Sequence, residues 1–234
     1  MTKKRVLFAA LAVMLIAILS AGTLAWYNST DSVKNTFKFD DTNTDGTPDF
    51  EIEVFETKDD GSETDTKEYE DIIPNGTYAK DPTVRNKGDY DMYARLIVTV
   101  SDAKVWMDAA AKYELTAVGA EDTILEKLVD LNAKWVRYDN VKYDATADTL
   151  TYVYYYNDII AQKGGLSEKL FTKVTIPSQL QTEDLNLVDD QFTISIKGDA
   201  IQSDNVPVDN VAGTVNDAYK AFSAVNWAAG ADYE

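Results

Sequence analysis

Asp41, Asn43, Asp45 and Asp49 stand in the spacing D-x-N-x-D-G-x-x-D, and no other group in this chain is as well suited to holding an ion. Oxygen donors at positions 1, 3 and 5, with Gly46 at position 6 to allow the sharp turn, suit Ca²⁺, which takes six to eight hard oxygens on a flexible loop. Thr47 offers a backbone carbonyl at position 7, and Asp49 offers a carboxylate or a bridging water at position 9. Position 12 is Ile52, where an EF-hand carries a bidentate glutamate, and the loop opens into a strand-like run instead of a helix. Glu51 and Glu53 flank that position. The motif is therefore a candidate calcium loop of a β-domain, not an EF-hand. The same residue types also favour a metal-free Asx turn, and both readings stand.

Few other catalytic chemistries are open to this chain. It has no histidine and no cysteine, which excludes disulfides, thiol nucleophiles, Cys/His zinc clusters, Ser-His-Asp triads and the HExxH helix. Its 40 Asp+Glu against 22 Lys+Arg give a net charge of −18, so nucleic acid and anionic membrane surfaces are not expected partners. With 45% hydrophobic residues over 234 positions, the chain can fold around a core and does not read as an acidic disordered tail. We expect no enzyme.

The first thirty residues bear on the compartment. Lys3, Lys4 and Arg5 precede an uncharged, mostly apolar run from Val6 to Tyr27 that ends in the small-x-small step Thr23-Leu24-Ala25. This is the pattern of a secretory signal peptide over residues 1–25, cut after Ala25 to leave Trp26 at the new N-terminus. The alternative is an uncleaved anchor, since about 20 apolar residues can span a bilayer. In that case the membrane is met only through the leader. Removing the three leader cations leaves 19 Lys+Arg against 40 Asp+Glu, a net charge of −21.

The elements beyond the leader read mainly as strands. A polar stretch from Asn28 to Asn35 leads into a short alternation around Thr36 to Phe39, and residues 26–39 form one N-terminal segment. Phe50 to Glu56 alternates apolar and acidic residues with period two, as a half-buried strand does. Lys58 to Asp71 has no periodicity and reads as a loop. Further strands are expected at 77–85, 92–101, 134–138, 150–156, 170–176 and 191–197. Residues 103–131 switch to helical spacing, with Val105, Trp106, Ala109 and Ala110 and then Ile124, Leu125, Leu128 and Leu131. A last helix is expected near 216–224. The expected fold is mainly β: an antiparallel sandwich over residues 40–234, with short helical insertions and an N-terminal signal helix. Tyr152, Tyr154 and Tyr156 share one strand face. That face could stack on carbohydrate or pack across strands, and cross-strand packing is the commoner use. Trp106 and Trp135 are expected in the core.

Several of these segments resemble a known family. Ser20-Ala21-Gly22-Thr23-Leu24-Ala25-Trp26-Tyr27 is similar to leaders cut by the dedicated signal peptidase SipW. Ala79-Lys80-Asp81-Pro82-Thr83-Val84-Arg85-Asn86-Lys87-Gly88, followed by Tyr93-Ala94-Arg95, resembles the K-D-P-x-V-x-N-x-G … Y-x-R core of the TasA and camelysin family of Gram-positive bacteria. Tyr154 to Asn157, Leu170 to Pro177 and Ala200 to Gln202 resemble later parts of it, in order.

The resemblance implies a jelly-roll-like fold and a place in the extracellular biofilm matrix or on the cell surface. In fibre-forming members, the segment freed by signal cleavage adds as a strand to a neighbouring subunit. Here that segment would carry Trp26, Tyr27, Val33, Phe37 and Phe39 as apolar anchors, although Phe37 and Phe39 equally suit the first core strand of their own domain. The expected partners are a second copy or other matrix proteins, with a signal peptidase during export. Camelysin also implies a metal-dependent peptidase, but zinc peptidase sites lean on histidine and no motif residue carries that activity over. A surface adhesin or carbohydrate-binding module is the third reading.

Overall fold

A computed structural model describes residues 28–32, 35–36, 50–69, 72–180, 192–204, 206, 208 and 215–225. The chain is mainly β, with antiparallel sheets and short helices. Its strands are β1 (Asn28–Ser32), β2 (Asn35–Thr36), β3 (Ile52–Thr57), β4 (Glu63–Thr64), β5 (Thr77–Ala79), β6 (Thr83–Asn86) and β7 (Met92–Ser101). They continue with β8 (Trp135–Val136), β9 (Lys142–Asp144), β10 (Thr149–Tyr156), β11 (Lys173–Thr175) and β12 (Ile194–Gln202). The helices are α1 (Ala103–Lys112), the single turn α2 (Leu125–Leu128) and α3 (Asp217–Ala224).

The largest sheet runs in the order β2-β1-β12-β7-β10-β8, with β9 also pairing with β10. Two smaller sheets, β4-β3-β6 and β11-β5, hold the other strands among the described residues. Strand β7 lies between β12 and β10 and is the longest strand among the described residues. Both of its faces are covered. Met92, Ala94, Leu96, Val98 and Val100 point into the larger core, with Ile52, Val54, Val84 and Trp106. Tyr93 and Ile97 point to the other side, into a second cluster with Val153, Tyr155, Ala218 and Phe222. Alternation therefore serves two cores here, which is why β7 reads as continuously apolar and not as half-buried.

The expected helical insertion lies where the spacing places it, with Trp106 and Trp135 both buried. Helix α1 buries Ala103, Trp106, Ala109 and Ala110, and Val105 is only partly covered. Its start is held from a distance. Asp102 caps nothing with its side chain, whereas Asp148 accepts the Lys104 amide through Oδ1 at 2.9 Å and the Ala103 amide through its carbonyl at 3.0 Å. Those bonds satisfy donors that a helix leaves open at its first turn. Helix α3 has a local cap: Asn216 Oδ1 accepts the Tyr219 amide at 2.8 Å.

Four local expectations change. The run read as one strand over 77–85 is two strands in different sheets, β5 against β11 and β6 against β3. Pro82 explains the break, because it cannot donate to a ladder; its carbonyl instead accepts the Leu170 amide at 2.9 Å. The stretch read as a loop over 58–71 contains β4, folded back on β3 through a turn with Gly61 at φ 83°. The strand expected over 191–197 runs from Ile194 to Gln202. The polar stretch from Asn28 onward contains β1, which pairs with β12 on one side and with the two-residue outer strand β2 on the other.

Candidate functional site

The proposed calcium donors Asp41, Asn43, Asp45, Thr47 and Asp49 lie outside the described residues. So do the leader, the cleavage residues Thr23, Ala25 and Trp26, and the apolar anchors Trp26, Tyr27, Val33, Phe37 and Phe39. What is described is the ground on either side of them. Downstream of the acidic loop, Glu51 lies 3.4 Å from Lys87 Nζ, and Glu53 lies 2.7 Å from Arg85 Nη1 and 3.8 Å from Lys87. Both glutamates nearest the loop's twelfth position are thus ion-paired within the sheet. Arg85 also binds Glu63 on β4, which with Glu53 outweighs partial burial and pushes the guanidinium above its ordinary value.

Within the N-terminal segment, the backbone of β1 pairs antiparallel with β12. Asn28 stands opposite Ile201, Thr30 opposite Asp199 and Ser32 opposite Lys197. The chain then turns and pairs Asp31 with Thr36 and Ser32 with Asn35 as β2. The sequence Asn-Ser-Thr-Asp-Ser has no apolar residue and low β propensity, so the β12 edge it lies on positions it. That edge passes close beneath β3. A Cβ on Gly198, which is opposite Asp31, would lie 2.6 Å from Val54 Cγ2 and 3.1 Å from Ile52 Cδ1. Only glycine lets β3 approach β12 at this point.

The residues of the K-D-P-x-V-x-N-x-G segment form a clamp around the crossover between the two smaller sheets. Lys80 Nζ lies 2.5 Å from Glu56 Oε1, and both side chains are buried. Glu56 Oε2 is buried as well and has no hydrogen-bond partner among the described residues. Asp81 accepts the Thr57 amide at 2.8 Å and meets Lys169 at 3.0 Å. Burial pushes its carboxyl upward, but the Thr57 amide and Lys169 outweigh that and hold it below the usual range. Tyr69 donates to the Ala79 carbonyl, and burial together with the negative Glu56 and Asp81 raises its hydroxyl. Asn86 is fully buried. Its amide donates to the carbonyls of Tyr90 (2.7 Å) and Ile160 (3.1 Å) and accepts from Gly88 (3.0 Å), pinning the loop that follows β10.

Arg95, from the Y-x-R end of that segment, is buried on the opposite face of the main sheet. Its Nη2 and Nε lie 2.7 and 2.9 Å from Asp199 Oδ2, and its guanidinium covers the Phe222 ring at 4.4 Å. Across the sheet, Thr30, Asp199, Arg95 and Tyr155 occupy one row of paired positions. The partners Glu56, Asp199 and Lys169 escape sequence reading, because nothing in the spacing links them to Lys80, Arg95 and Asp81.

Tyr152, Tyr154 and Tyr156 do share a face, as alternation requires, but that face is interior. Tyr152 and Tyr154 have no exposed surface and Tyr156 is 5% exposed, so no ring there can stack on a sugar. Tyr152 instead bridges to the insertion, donating to the Asp122 carbonyl and accepting the Leu125 amide at 3.3 Å.

No protein-family model, curated protein or solved structure matches the chain. The likeness to TasA and camelysin accordingly rests on the motif residues themselves. Among the described residues, no group of three or more acidic side chains is placed to hold a metal, and no helix is long and apolar enough to cross a membrane.

The carboxylates give the fold a definite response to acid. Asp130 resembles Asp81: burial raises it, and the hydroxyl and amide of Thr172 with the Lys173 amide bring it below its ordinary value. A folded-state pKa below the unfolded one stabilises the fold above the unfolded value, and that stability is lost as pH falls through the folded one. With no histidine present, urea midpoints should stay nearly flat from about pH 8 to pH 5 and fall below about pH 4, where carboxylates take up protons. Asp81→Asn combined with Asp130→Asn should flatten the acid limb, and an unchanged limb would show that other groups govern it.

Proposed function

We propose that the chain is an exported structural protein of the extracellular matrix of a Gram-positive bacterium, which associates with further copies by exchanging its N-terminal strand. The support begins with the leader pattern and the ordered family resemblance. The observation that carries the reading is β1 itself, a five-residue strand of wholly polar sequence on the β12 edge, just beyond the leader. A strand held by backbone pairing can be replaced by the same strand of another copy at little net cost, since identical bonds re-form. While the leader is attached the membrane holds this segment, and cleavage releases it.

In this reading the sheet β4-β3-β6 and the β1-β12-β7 part of the main sheet are the two leaves of a jelly-roll-like sandwich, joined by the shared core and by the close approach at Gly198. Calcium at Asp41, Asn43, Asp45, Thr47 and Asp49 would offset repulsion between strongly acidic copies and order the segment beside β3.

The test compares the mature chain from Trp26 with one lacking residues 26–36, by sedimentation across concentration, with and without calcium. The mature chain should form assemblies that grow with concentration. The shortened chain should not assemble, but should bind a peptide of residues 26–39 at its open edge. A mature chain that stays monomeric at high concentration in both conditions overturns the proposal.

A further inference from the structure

We propose that the cleft between helix α3 and the β9–β10 hairpin, on the face of the main sheet away from β3, is a binding site for a neutral, hydroxyl-rich ring, such as a sugar unit of a glycan. The cleft has a volume of about 380 Å³, at the lower end of the range for small-ligand sites. Arg95 lies in its lining, Asp139, Asn140 and Lys142 stand along one side, and Tyr219 and Phe222 come from the helix.

Two of its polar groups are held in advance. Arg95 is fixed by Asp199 and by the Phe222 ring beneath it. Asp139 is fixed through Oδ2, which accepts the Tyr155 hydroxyl at 2.7 Å, and through its carbonyl, which accepts Arg137 Nη1 at 2.9 Å. Tyr219 is wedged against Tyr155 and Tyr138, with ring centres 5.0 and 4.9 Å away, yet keeps part of its surface open. A buried ion pair is weakly justified by stability, because desolvating both charges offsets most of their attraction. Its place beside a cleft with a rigid aromatic wall suits recognition better.

The chemistry of the lining selects the ligand class. Asp199 offsets Arg95, and Asp139 offsets Lys142, so the cleft has no net charge with which to capture an ion. An apolar ligand would lie beside Asn140, Lys142 and Asp139 without offering them a polar partner. A saturated ring with an apolar face and peripheral hydroxyls meets both demands, lying against Tyr219 while its hydroxyls reach the amide, ammonium and carboxylate. This site is separate from the strand edge and does not depend on exchange.

The test is amide NMR of the ¹⁵N-labelled mature chain, titrated with cellotriose, maltotriose, tri-N-acetylchitotriose and, as a charged control, inorganic phosphate. At least one trisaccharide should shift the signals of Asn140, Lys142 and Ser223 in a saturable way, and phosphate should not. Asn140→Ala and Lys142→Ala alter exposed side chains and keep the fold; each should weaken that sugar about tenfold, the loss expected for one uncompensated hydrogen bond. The proposal is overturned if none of the three sugars shifts these signals, if phosphate alone shifts them, or if both variants bind as the parent does.

Discussion

Replacing Lys80 with methionine should lower the unfolding free energy by about 3–5 kcal/mol, although it removes only one side chain's charge and keeps its length. The reason is what stays behind. Glu56 is 2% exposed, its Oε1 loses the ammonium at 2.5 Å, and its Oε2 has no hydrogen-bond partner among the described residues to share the charge. An uncompensated carboxylate inside the protein costs far more than the intact pair ever contributed, so removing both partners should be milder than removing one. The measurement is a double-mutant cycle of Lys80→Met and Glu56→Leu by urea denaturation. The double variant should recover at least half of the single loss, and the coupling should be nearly independent of salt, because buried pairs are poorly screened. Losses below about 1 kcal/mol that shrink further in salt would place the pair in solvent, as for an ordinary surface bridge.

The same residues show where sequence reading reached and where it stopped. Periodicity located β3, the helical insertion and α3, because each buries an apolar stripe whatever its partners are, and β7 and β10 stood out as runs rich in β-branched and aromatic residues, covered on both faces. It also placed Tyr152, Tyr154 and Tyr156 on one face, but could not tell that a second layer covers that face, since burial depends on strands far away in sequence. Lys80, Asp81, Asn86 and Arg95 stood out only through a likeness. Their partners lie at separations such as 24 residues for Glu56 and 104 for Asp199, where no local rule applies. Pro82 lies inside the run read as one strand over 77–85, and the change of sheet it marks needed the positions of β5 and β6. Strand β1 was missed for a physical reason: a polar pentapeptide has no intrinsic claim to be a strand, and it is one only because β12 presents an edge. The candidate exchange site was therefore legible as a segment after a leader, while its acceptor was not.

That acceptor carries the second large effect. Gly198→Ala should destabilise the fold by about 1–3 kcal/mol, and Gly198→Val by more, because the new Cβ would lie 2.6 Å from a methyl of Val54 and 3.1 Å from one of Ile52. Val54 is 3% exposed and Ile52 1%, so neither can swing aside into solvent. Relief requires β12 to move away from β3. Gly198 is opposite Leu96 on one side and Asp31 on the other, and β7 is held by ten residues of strand between two neighbours, whereas β1 has five and a polar sequence. The displacement should therefore fall on β1. In hydrogen exchange, the amides of residues 28–32 should lose protection first and by the largest factor, while those of β7 track only the global loss. The incoming strand of another copy would meet the same disturbed edge, so the variant should also assemble less than the parent at equal concentration. Full stability with unchanged protection over 28–32 would mean that β3 does not lie on β12 at Gly198, and the acceptor edge would have to be sought elsewhere in the sheet.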